Sequence, residues 1–122
     1  KKLAQQVAVS HKAEVELYHY EPLFMNLVNH KPLETLMQAN LRSVGVTGFT
    51  ITPDDFADGS TDVGNVSQQC PTIQPEIKIG TNIAAHTKEF CAAAGSEYGM
   101  AMSFKAAKAM ALTAADVIYT KI

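Results

Sequence analysis

The sequence predicts an α/β fold, a small sheet with helices packed on it, and three patterns in it point that way. Residues 13–20 and 72–79 alternate apolar with polar side chains, the period of two that a half-buried strand requires. Residues 32–44 place apolar side chains three and four apart, the period of a helix with one face inward. The alanine-rich stretch 96–120 repeats that helical spacing.

In chain order the pattern begins with residues 1–11, where Leu3, Ala4 and Val7 share a helical face and Gln5 and Gln6 lie opposite. The strand 13–20 has Ala13, Val15, Leu17 and His19 on one side and Glu14, Glu16, Tyr18 and Tyr20 on the other. Pro22, which has no N–H to give a ladder, ends it. Leu33, Leu36, Met37, Leu41 and Val44 form the inward face of the helix 32–44. Pro32 suits its first turn, and Gly45 suits the left-handed residue just past its end. Residues 46–52 read as a short strand. The polar run 53–62 reads as a loop, and Ser60, Thr61 and Asp62 can each cap a helix beginning near Val63.

In the strand 72–79, Ile73, Pro75, Ile77 and Ile79 face one way, and Pro75 confines it to a sheet edge. Two helices follow, 87–94 and 96–120, parted by Gly95 with Ser96 as the N-cap of the second. In that last helix Met100, Phe104, Ala107, Ala111, Ala114 and Ile118 form a narrow seam for close packing. Cys91, beside Phe90 and Ala92, reads as a small core residue.

A chain of 122 residues with 47% apolar side chains suffices for one domain with a buried core. Its 10 basic and 12 acidic residues are scattered, so no stripe can neutralise a run of phosphates, and nucleic acid is set aside as a partner. No apolar run approaches the roughly 20 residues that cross a bilayer, which sets aside a membrane span. With no leader-like segment, the chain is expected to be cytoplasmic, with Cys70 and Cys91 reduced. Lys1 and Lys2 run straight into a helical pattern without an initiator methionine, which suggests a piece of something longer.

Chemistry concentrates in two places. His86 follows Ala84 and Ala85 and stands just before a helix, where a rigid element positions a loop side chain. It reads either as a loop histidine bonded to backbone or as a metal ligand. The segment from Gly59 to Ser67 reads either as a capped loop or as a site wall, with Asp62 supporting a ligating histidine or holding substrate. His11, His19, His30 and His86 share no i, i+4 spacing, so the chain has no self-contained zinc site. There is no G-x-S-x-G nucleophile elbow and no glycine-rich phosphate loop.

Three blocks occur in order: Gly59-Ser60-Thr61-Asp62-Val63-Gly64-Asn65-Val66-Ser67; Pro71-Thr72-Ile73 with Pro75; and Ala85-His86-Thr87-Lys88-Glu89-Phe90 with Ala93-Ala94-Gly95-Ser96. Together they resemble the dimetal amidohydrolases and peptidases related to aminoacylase and glutamate carboxypeptidase. The nearest branch is that of aminobenzoyl-glutamate hydrolase and the related dipeptidases, and the resemblance covers roughly residues 13–115. It implies that residues 1–20 end an inserted lid and dimerisation domain, and that residues 21–122 are the C-terminal portion of a larger metallopeptidase catalytic domain.

The resemblance further implies hydrolysis of an amide bond in an N-acyl amino acid or dipeptide by a metal-activated water, with two zinc ions in the complete enzyme. His86 corresponds to the last metal ligand, and Ser60, Thr61 and Asp62 would line the site. No position here matches the general base or the other ligands. One imidazole does not hold a catalytic zinc, so the chain alone is expected to be inactive, without a tightly bound metal, and to self-associate as a homo-oligomer through uncovered apolar surface. The alternative is a non-catalytic interaction or oligomerisation module that retains the fold.

Overall fold

The computed structural model describes residues 1–48 and 59–120, so most of the predicted strand 46–52 and of the aspartate-rich loop lies outside the described residues. Five helices form among them: α1 (Lys2–Ser10), α2 (Lys31–Ser43), α3 (Val63–Ser67), α4 (Lys88–Ala94) and α5 (Glu97–Thr120). Each falls within a residue or two of a helical stretch or cap in the sequence.

The predicted α/β architecture is overturned, because the described residues contain no strand and no sheet. A strand exists only where a neighbouring backbone completes its ladder. The Ala13 amide closes onto Ala8, and residues 14–22 then make no backbone hydrogen bond among the described residues. Of the segment 72–79, Thr72 alone makes a backbone pair among the described residues, its carbonyl accepting from the His30 amide at 2.9 Å. The period of two nevertheless marks how 72–79 lies. Ile73 and Ile77 pack on the core while Gln74, Glu76 and Lys78 stay exposed.

The core lies where α2 crosses α5. Met37 and Leu41 of α2 meet Ala109 of α5, and Val44, Val46, Ile73 and Ile77 surround them. Ala109 is fully buried, its small side chain allowing the helices to approach closely. The inward stripe of α5 therefore runs through Met102, Ala106, Ala109, Thr113 and Val117. This corrects the seam read from the sequence, whose Phe104 and Ile118 are 72% and 73% exposed. In so alanine-rich a helix the spacing fits several faces equally well, and packing on α2 decides among them. Cys91 is likewise exposed, not a core residue, and both cysteines are free thiols.

A polar group fixes the register of the crossing. The Asn40 amide donates to Thr113 Oγ1 at 3.1 Å and to Asp116 Oδ2 at 2.8 Å, and Thr113 Oγ1 donates to the Ala109 carbonyl. At the end of α2, Gly45 has φ +78, its amide donates to the Arg42 carbonyl, and the Val46 amide donates to the Leu41 carbonyl. That is the glycine stop expected of this sequence, and it turns Val46 back onto the core.

The second organising contact joins α3 to the segment 23–28. Asn65 Oδ1 accepts from the Met25 amide at 2.8 Å while its Nδ2 donates to the Leu23 carbonyl at 3.0 Å. Ser67 Oγ accepts from the Val28 amide, and Gln68 Nε2 donates to the Asn26 carbonyl. Gly64 is buried beneath them, and a Cβ there would fall inside the Met25 carbonyl. Replacing Gly64 with alanine is expected to destabilise the chain by roughly 1–3 kcal/mol, the usual cost of overpacking. An unchanged urea midpoint for G64A would contradict this close approach.

Much apolar surface stays uncovered. The chain exposes 9776 Å², against roughly 6,400 Å² for a compact domain of this mass by the surface–mass scaling. The purified chain is accordingly expected to self-associate as its concentration rises. A single monomeric species in sedimentation velocity across the micromolar range would count against that expectation.

Candidate active site

His86 stands immediately before α4 on a turn whose backbone is left-handed, with φ 62 at His86 and φ 55 at Asn82. That conformation costs an ordinary residue about 1–2 kcal/mol, and the following cap helps to hold it. Thr87 is the N-cap of α4, its Oγ1 accepting from the Phe90 amide at 3.1 Å and donating to the Ala84 carbonyl at 2.7 Å. One hydroxyl thus ties both sides of the turn around His86. At the far end of α4, the Ser96 hydroxyl accepts from the Gly99 amide, as its N-cap position predicts, and α4 packs on α5.

The His86 side chain is exposed and makes no hydrogen bond among the described residues. The reading of a histidine bonded to backbone therefore finds no support, and its imidazole remains open to a ligand.

Ser60 and Asp62 are exposed and Thr61 is half-buried. Of the three possible caps, Thr61 is the one whose side chain engages, its Oγ1 accepting from the Val63 amide at 3.3 Å. Asp62 occupies the N-cap position of α3 with no capping bond from its carboxylate. No hydrogen bond joins His86 to these three residues, and α3 and α4 do not pack on each other. Among the described residues, no group of three or more His, Cys, Asp or Glu could hold a metal ion.

Sequence reasoning missed two features nearby. Asn65 and Ser67, read only as members of a loop block, supply the bonds that hold the segment 23–28. His30 was set aside with the other histidines, yet it is the N-cap of α2 and its Nδ1 is buried with no hydrogen-bond partner among the described residues. Its place directly before Lys31-Pro32 was the available signal for an N-cap, since proline favours the first turn of a helix.

A 630 Å³ apolar groove lies between α2 and α5, lined by Leu33, Met37, Ile73, Pro75, Val117 and Ile118. It reaches Val63, the first residue of α3, and so adjoins the Thr61–Asp62 turn. No described helix is long and apolar enough to cross a membrane.

No protein-family model matches the chain, and no solved structure matches it significantly. Among curated proteins, it is 37% identical to Xaa-Arg dipeptidase of Homo sapiens over 99 residues, which is 79% of this chain and 22% of that protein. The Xaa-Arg dipeptidase of Mus musculus is 38% identical over 92 residues, 72% of this chain and 21% of the mouse protein. The chain is similar to part of a dipeptidase. It spans about a fifth of the length of these relatives, and the likeness supports the peptidase kinship that the ordered blocks indicate.

Thr87→Ala should cost about 0.5–2 kcal/mol, the range for loss of an N-cap hydroxyl. Thr87→Ser should recover most of it. Equal thermal midpoints for the wild type and the alanine variant would show that the cap does not hold this turn.

Proposed function

We propose that the chain is the C-terminal portion of a metal-dependent amidohydrolase or peptidase, within the dimetal group, that hydrolyses the amide bond of a dipeptide or an N-acyl amino acid. The observation that carries this reading is the 37% identity to a dipeptidase over 99 residues, found in a chain that holds the three ordered blocks. The activity named for the relatives, Xaa-Arg dipeptidase, makes a dipeptide ending in arginine the first substrate to try. The placement nearest the aminobenzoyl-glutamate hydrolase branch rests on the blocks alone.

In this reading His86 is one metal ligand, and Ser60, Thr61 and Asp62 line the site. The exposed, unengaged imidazole of His86 suits a ligand. A catalytic zinc takes three protein ligands, and the described residues hold no cluster of that size. In this reading the remaining ligands and the general base come from elsewhere in the parent polypeptide. Residues 1–20 are the end of its lid domain. In support, α1 packs on none of the other described helices. The parent is cytoplasmic and dimeric in this reading.

The extent of exposed apolar side chains, including Leu3, Tyr20, Leu23 and Tyr119, favours one second reading. In it the chain is an interaction or oligomerisation module without catalysis.

His86→Ala in the complete parent separates the two. The dipeptidase reading expects kcat/KM on a Xaa-Arg dipeptide to fall by about 100-fold or more, together with loss of bound metal in native mass spectrometry. The isolated chain should show neither turnover nor tight zinc binding. Full activity in the parent variant, or turnover by the isolated chain, would overturn the assignment of His86 and of the missing partners.

A further inference from the structure

Helix α1 and the groove between α2 and α5 are each incomplete in a single chain. Among the described residues α1 packs on no other helix and buries no side chain. Leu3, Ala4 and Val7 nevertheless share one face, with Leu3 73% and Val7 50% exposed. Its N-cap, Lys1, makes no side-chain capping bond, its first turn has no acid and its last turn no base. A helix of nine residues is marginal in water unless something covers its apolar face. The groove has the opposite lack. Leu33, Met37, Ile73, Val117 and Ile118 make its lining almost wholly apolar, and of its two polar residues Thr113 already bonds Asn40 and the Ala109 carbonyl. An apolar segment suits it, and a polar ligand does not. Its α5 wall runs from Met110 to Ile118, about 12 Å at the rise of a helix, and α1 spans about 13 Å. The charges match as well. Residues 1–13 carry Lys1, Lys2 and Lys12 and no acid, whereas the residues next in sequence to the groove lining include Glu34, Asp62, Glu76 and Asp116 and no Lys or Arg. Glu34 pairs with Lys31 and Asp116 bonds Asn40, while Asp62 and Glu76 are exposed.

We propose that α1 of one copy of this chain seats in the α2–α5 groove of a second copy, and that α1 of the second seats in the groove of the first. Residues 14–22 make no backbone hydrogen bond among the described residues, and fully extended they reach about 30 Å, enough to carry α1 to a neighbour. The segment 23–28 is tied to α3, so the exchange moves only α1 and the stretch that follows it. Leu3 and Val7, one turn apart, enter the groove, and the lysines of α1 meet its acidic flanks. Mutual exchange fills both grooves, so the assembly closes at two copies about a two-fold axis. The contact belongs to the chain itself and rests on no reading of its parent.

Sedimentation velocity of the full chain and of two variants tests this. Val7→Asp puts a charge on the apolar face of α1, and Ala114→Asp puts one in the groove. Both positions are exposed in the single chain, so neither substitution removes a core contact. The unsubstituted chain should pass from monomer to dimer as its concentration rises and form nothing larger. Each variant alone should dimerise at least about tenfold more weakly, the effect of losing one buried aliphatic contact. A mixture of the two variants, at a concentration where neither dimerises alone, should form a one-to-one heterodimer, because α1 of the Ala114→Asp chain meets the intact groove of the Val7→Asp chain. A chain that stays monomeric, with α1 solvated or folded back on its own groove, would overturn the proposal. So would open-ended aggregation, a dimer that either substitution leaves unchanged, or a mixture that remains monomeric.

Discussion

The approach of the segment 23–28 to helix α3 is the constraint on which the arrangement of this chain depends. A backbone segment leaving an isolated stretch must satisfy its amides and carbonyls or remain in water. No strand is offered to it among the described residues, so two side chains of one short helix and that of Gln68 just past its end take that place. Asn65, Ser67 and Gln68 each bond a different main-chain group, and Gly64 supplies the room by having no side chain. A helix of five residues has little stability of its own. It is held because these bonds and the Thr61 cap act on it together, and the chain on either side is fixed with it.

That substitution of side chains for a ladder also explains why the α/β expectation failed. The apolar alternation in 13–20 and 72–79 is real, and in the second segment it sorts buried from exposed residues as a strand would. Alternation specifies a face, whereas a strand also needs a partner, and partners are a property of the whole fold. Helices are different because their hydrogen bonds close within the segment. The periods of α2 and α5, the glycine stop at Gly45 and the caps at Thr87 and Ser96 were therefore legible from local sequence. The inward face of α5 was not, since a run of alanines presents similar surfaces in several directions and Asn40 and Met37 of α2 choose one.

The site was legible in part for the same reason. The position of His86 on a turn before α4 follows from Thr87 and the small residues ahead of it, which are local signals. Its relation to Ser60, Thr61 and Asp62 is a matter of long-range packing, and the described residues do not bring the two clusters together. The roles of Asn65 and Ser67 were hidden inside a block that reads as polar loop, because a side chain that bonds a distant backbone leaves no periodic trace. His86 and Asp62 each stand beside a threonine whose hydroxyl bonds the backbone of the turn, and among the described residues no group of three or more His, Cys, Asp or Glu gathers around either.

The most direct measurement of the clamp on 23–28 is amide hydrogen exchange, resolved by residue, on the chain and on Asn65→Ala. The Met25 and Val28 amides, bonded to Asn65 and Ser67, should exchange well below the rates of Tyr18 and His19, whose amides have no backbone partner among the described residues. The substitution should remove the protection of Met25. If Met25 exchanges as fast as Tyr18 in the unsubstituted chain, α3 does not hold this segment.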